Sequence, residues 1–194
     1  MAEAKAKQVD LAKVAQGARL ILEGIGEDPE RPGLQRTPER VAEMYAELTA
    51  GMWEDADEHV QALPGDAHDD MVLVKDISFA SICEHHLAPF AGKCHIAYIP
   101  QGGRIVGLSK LARVAEIFAR RLQVQERITY EIAHALDKGL KPQGVLVIIE
   151  AEHTCMTLRG VKKPGAITVT TVALGVFQER AEVRAEAIQL IKAA

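Results

Sequence analysis

Apolar residues recur at helical spacing along the first part of the chain. Leu11, Val14, Ala15, Ala18, Ile21 and Leu22 share one face, and Gly24 and Gly26 end the run. A turn-rich stretch, Glu27 to Gly33, separates it from a second helix. There Thr37 is expected to cap and Pro38 to take the first helical position, with Val41, Met44, Tyr45 and Leu48 on the buried face. Residues 54–70 are acidic, contain Pro64-Gly65 and read as a surface connection. From Met71 the period shortens to that of a strand. Met71–Ala80, Lys93–Ile99 and a short Arg104–Gly107 are predicted strands, turned by Pro100-Gln101-Gly102-Gly103.

Ser109 is then expected to cap a helix burying Leu111, Val114, Ala115, Phe118 and Leu122. A second helix follows with Ile128, Ile132, Ala135 and Leu136, ending at Gly139. Val145–Glu152 and Ala166–Phe177 predict two more strands, and Glu179–Ala193 a closing helix. The order predicts an α+β fold, an antiparallel sheet with two helices on one face, preceded by an N-terminal helical region. The expected division is residues 1–68 and 69–194.

The 194 residues, 48% hydrophobic and 26% charged, suit one domain with a core and exclude a disordered or fibrous chain. The longest apolar run, Val145–Ile149, is strand-sized, so no membrane span is expected. The start, MAEAKAKQVD, shows no secretory pattern. Three cysteines at unrelated spacings make a poor disulfide framework and point to a reducing cytoplasm. A net charge of −4 excludes a globally basic nucleic-acid binder, yet the charge is uneven. Residues 1–103 carry 9 basic and 18 acidic side chains, whereas residues 104–163 carry 11 and 6. A basic middle invites an anionic ligand.

Two clusters carry metal chemistry. Cys83-Glu84-His85-His86 follows a strand, and in a tight turn Cys83 and His86 can converge. His153 and Cys155, two apart in an extended segment, share a face. Zinc takes thiolate and imidazole, and three protein ligands leave a position for water. Cys83, His86, Cys155 and either His85 or His153 compete for those three places, while Cys94, inside a strand, reads as core. Lys110 and Arg113 lie on one face near a positive helix end that suits phosphate, and Arg159, Lys162 and Lys163 add charge. Gln125-Glu126 offers an amide beside a carboxylate, a pair able to read a guanine edge.

Together these stretches resemble GTP cyclohydrolase I: CEHHLAPFAGK at 83–93, AYIP at 97–100, GLSKLARV at 107–114, FARRLQVQER at 118–127 and EAEHTCMTLRGVKKPG at 150–165. The resemblance implies the tunnelling fold and a homo-oligomer, a toroidal decamer with active sites between subunits. It implies zinc on Cys83, His86 and Cys155, leaving His85 and His153 as acid/base groups. It makes Gln125 and Glu126 the guanine readers and places Ser109, Lys110, Arg113, Arg159 and a neighbouring subunit's Arg40 around the ribose and triphosphate. The implied reaction opens the imidazole ring of GTP, releases formate and yields 7,8-dihydroneopterin triphosphate. Glu43 and Thr171–Gly175 depart from the family pattern.

Overall fold

The computed structural model describes residues 9–65 and 70–193; the boundary expected at residue 68 lies outside them. Helix α1 (Leu11–Gly24) is capped by Asp10, whose carboxylate accepts from the Lys13 amide. In α2 (Thr37–Leu48) the expected cap moves one residue. Arg36 takes the cap position, because the Thr37 amide already donates to Leu34 O and draws Thr37 into the helix.

The sheet is built on a hairpin. Strands β2 (Val72–Cys83) and β3 (Pro89–Ile99) pair antiparallel from Val72↔Tyr98 to Ile82↔Pro89, with an irregularity between Val74 and Ile77. Short strands β1 (Leu63–Pro64) and β4 (Arg104–Ile105) pair separately. The first central helix is α3 (Leu108–Ala119); β5 (Leu122–Gln123) then lies parallel to the end of β2, which makes the sheet mixed at this edge. The second central helix, α4 (Gln125–Leu140), leads into β6 (Gly144–His153). One helical turn, α5 (Thr154–Thr157), precedes β7 (Ile167–Gly175), and α6 (Val176–Glu179) and α7 (Ala181–Lys192) end the described chain. The five-stranded order is β5-β2-β3-β6-β7.

Both faces of this sheet are covered, one more than expected. On one, Ile96, Tyr98, Val145, Val147 and Ile149 pack against α3 and α4 through Leu111, Ile132 and Leu136. On the other, Ala97, Ile99, Leu146 and Ile148 meet Phe177 and Ala187 from α6 and α7. The unbroken run Val145–Ile149 follows from this, since alternate residues enter different cores. Full burial of a side chain such as Phe177 contributes about 1.5–3 kcal/mol. Gly92 lets β3 and β6 come together: a Cβ there would lie 1.9 Å from Glu150 O. No described helix is long and apolar enough to cross a membrane.

Candidate metal centre and active site

Cys83 ends β2, and the chain turns back on it at once. His86 N and Leu87 N donate to Cys83 O, Cys83 N donates to Ala88 O, and Leu87 takes a left-handed φ of 54°. This turn carries His85 and His86 to the sulfur, with Cys83 Sγ 4.0 Å from His85 Nδ1 and 3.9 Å from His86 Nδ1. Cys155 arrives differently from the expectation. The strand stops at His153 and Cys155 sits in helical α5, so side-chain alternation is not what aligns it. Thr154 Oγ1 instead donates to Pro89 O and ties that helical turn to the start of β3.

Ligand atoms of Cys83, His86 and Cys155 all lie within 4.8 Å of one another. Burial and the adjacent Cys83 sulfur push the Cys155 thiol above its ordinary value. Two sulfurs this close repel as thiolates, and a divalent cation between them removes that cost. The donor set, two sulfurs and an imidazole, suits zinc and leaves a fourth position open. Arg159 Nη1 lies 3.0 Å from His86 Nε2, at the rim of the centre.

The other two histidines are not part of the converging triad, although His85 Nδ1 stands as near Cys83 Sγ as His86 Nδ1 does. His85 is exposed, its Nε2 4.0 Å from Glu84 Oε1. His153 stacks on Phe90, its cross-strand partner, with ring centroids 4.3 Å apart and planes within 10°. Its Nε2 lies 2.8 Å from Gln125 Oε1. Burial lowers the His153 pKa, against the opposing pull of the Glu126 charge. A cleft of about 210 Å³ joins these groups, lined by Cys83, His85, Gln125, Glu126, His153 and Cys155.

Gln125 is placed differently from its neighbour: it is only 1% exposed and its side-chain amide is engaged by protein partners, whereas Glu126 is exposed, and both line the cleft. Ser109, Lys110 and Arg113 are exposed and lie outside this chain's cleft. Gly107, not Ser109, occupies the cap of α3, and Ser109 falls within the first turn. That turn starts near Tyr98, whose hydroxyl accepts from Val106 N, whereas Ser81 Oγ donates to Arg121 O just past the other end. Because β2 and β3 run antiparallel, Tyr98 and Cys83 mark opposite ends of the hairpin. A 12-residue helix spans about 18 Å, so the cationic turn sits far from the sulfurs. Arg40, exposed on α2, is absent from the cleft too, although Tyr45 of that helix donates to Leu87 O in the metal turn.

Long-range contacts add residues that local spacing does not reveal. Arg127 makes a two-pronged pair with Glu84, at 2.6 and 3.1 Å, bracing the Cys83–His86 turn against α4. That hydrogen-bonded guanidinium holds the Glu84 carboxyl below its usual value. Phe90 lies within the CEHHLAPF stretch, but its role as the platform for His153 depends on the β3–β6 register.

Cys94 is core as expected. Burial pushes its thiol up to about 12, which leaves a thiolate fraction of roughly 10⁻⁴ at pH 8. Iodoacetamide on native, chelator-treated protein should therefore modify Cys155 and spare Cys94, as read by peptide mass mapping. Equal labelling of the two would contradict this placement.

The sequence profile of GTP cyclohydrolase I matches residues 14–192. The GTP cyclohydrolase 1 of Bacillus subtilis (strain 168) is 56% identical over 186 residues, covering 96% of this chain and 98% of that protein. Its counterpart from Geobacillus kaustophilus (strain HTA426) is 56% identical over 186 residues, 96% of this chain and 99% of that one. The Pelotomaculum thermopropionicum GTP cyclohydrolase 1 is 57% identical over 183 residues, 94% of this chain and 97% of its own length. Similarity of this extent, running across the whole Cys/His centre, shows that the chain belongs to the GTP cyclohydrolase I family.

Proposed function

We propose that Cys83, His86 and Cys155 hold one zinc ion per chain, and that His153, His85 and Glu126 carry out the family's reaction on GTP in the adjoining cleft. That reaction opens the imidazole ring of GTP hydrolytically, the first step of folate and pterin biosynthesis. The observation that carries the reading is the convergence of the three ligand atoms beside the cleft that His153 and Glu126 line.

Zinc, when bound, supplies Lewis-acid activation of water near neutral pH. The chain's own groups do the rest. Glu126 accepts from the N1–H and exocyclic amine of guanine, a two-point contact that sets the base in register. His153 gives a proton to N7 as the C8 bond opens, and His85 serves as a second proton-transfer group. Ser109 assists the ribose rearrangement that follows formate release. Lys110, Arg113, Arg159 and Arg40 hold the triphosphate, which stays intact and serves to position the substrate.

One chain divides these roles between the two ends of its sheet. We therefore place the catalytic half of one protomer against the cationic turn of another, in a homo-oligomer that the family resemblance extends to a toroidal decamer. Unpaired thiols at Cys83, Cys94 and Cys155 favour a reducing, cytoplasmic setting.

The test is direct. Zinc-loaded protein incubated with GTP should release one formate per GTP and give a fluorescent neopterin after oxidation. Intact, zinc-loaded, assembled protein that leaves GTP unchanged would overturn the reading.

A further inference from the structure

Gln125 stands at the first position of α4, yet its side chain turns inward and every polar atom of it is engaged. Its Nε2 lies 3.0 Å from Ile149 O, 3.0 Å from Thr168 O and 3.1 Å from Thr170 Oγ1. The two carbonyls can only accept, so the amide must present its NH₂ to them. The reverse orientation would set the amide oxygen against two carbonyl oxygens at hydrogen-bond distance.

A closed set of hydroxyl bonds gives the same answer. Thr129 Oγ1 donates to the main-chain oxygen of Gln125 at 2.8 Å, which uses its only proton. Thr170 Oγ1, 2.6 Å from Thr129 Oγ1, must then be the donor to it. Thr170 is left able only to accept, which suits a hydrogen of the Gln125 amide shared among its three acceptors. Three neighbours, contributed by β6 and β7, thus fix which end of the amide is oxygen.

That oxygen lies 2.8 Å from His153 Nε2. An amide oxygen can only accept, so Nε2 must carry the hydrogen. Among the described residues Nδ1 has no hydrogen-bond partner and is not one of the buried unpartnered atoms, so it is the ring nitrogen open to a ligand. Stacking on Phe90 sets the plane of the ring, and Gln125 sets its rotation within that plane.

We infer that Gln125 is a positioning residue, holding His153 with its hydrogen on Nε2 so that Nδ1 is the nitrogen that takes a proton from the hydrolytic water and passes it to N7 of the substrate. This rests on the proposed role of His153 and separates the neighbouring pair: Glu126 reads the base, and Gln125 acts through the histidine. A residue of this kind changes kcat, whereas a base reader changes KM and the choice among purines.

The test uses the zinc-loaded holoenzyme. Gln125→Met keeps the volume and removes the acceptor; it should lower kcat about 100-fold while KM for GTP and the GTP-over-ITP preference stay within about threefold. Glu126→Gln, in contrast, should raise KM and erode the preference for GTP over ITP. If Gln125→Met shifts KM and the purine preference as Glu126→Gln does, the inference fails. A wild-type enzyme that does not open GTP would instead sink the functional reading itself. Neutron diffraction of the wild-type holoenzyme at pH 8 decides the matter without a variant. Deuterium on His153 Nε2 supports the assignment, and its absence there overturns it.

Discussion

Cys83→Ser is expected to lose the bound zinc and at least about 10³-fold in formate release, and Cys155→Ser to do the same. With three ligand atoms inside 4.8 Å, losing one sulfur leaves two donors, too few for a closed grip on the ion. A serine hydroxyl does not replace the thiolate, because it stays protonated near neutral pH and is a harder ligand. Lewis-acid activation contributes several kcal/mol to a hydrolysis, and each 1.4 kcal/mol is tenfold in rate. Metal analysis after chelator dialysis, alongside the formate assay, measures both losses. Cys94→Ala is the control: its thiol is buried in the core and should leave zinc content unchanged. Full zinc occupancy and activity in Cys83→Ser would remove the metal centre from this position.

The helical period marked burial well in α3 but not in the N-terminal helices, where Leu11, Ile21 and Met44 are exposed, nor at Leu122, which leaves the helix for β5 and is also exposed. Leu111, Val114, Ala115 and Phe118 share one face of α3, and all four are core residues. Strand limits were less visible. The strand Lys93–Ile99 begins four residues earlier, at Pro89, because pairing with Ser81 and Ile82 extends it through positions where local pattern is silent. The second layer of helix was also hidden, although Val145–Ile149 carried the clue, since a strand apolar at every position has no free face.

The Cys/His cluster was half legible. Cys83 and His86 converge through a local turn, which spacing can suggest. The approach of Cys155 depends on a helical turn pinned to Pro89, and the choice between His86, His85 and His153 depends on tertiary partners. Gln125 shows the limit most clearly. Its contacts lie 24 to 45 positions along the chain, so the sequence shows its neighbour Glu126 but not the partners that turn the Gln125 side chain inward.

His153→Ala is expected to reduce kcat for formate release by about 10²–10⁴-fold, the usual contribution of a positioned acid or base, while zinc stays in place. The two effects separate because the structure separates the groups. His153 is held by Phe90 and Gln125, and neither of these belongs to the Cys83, His86 and Cys155 set. Glu126 remains in the cleft to bind guanine, so the affinity for GTP should change by only a few-fold. Alanine leaves a ring-sized space beside Phe90, and added imidazole should enter it and restore part of the rate. Metal content, GTP titration and formate release on one preparation tell the alternatives apart. Loss of zinc together with activity would make His153 a support of the metal centre. Near-normal turnover with zinc bound would move the proton transfer to His85, the other cleft imidazole outside the metal triad.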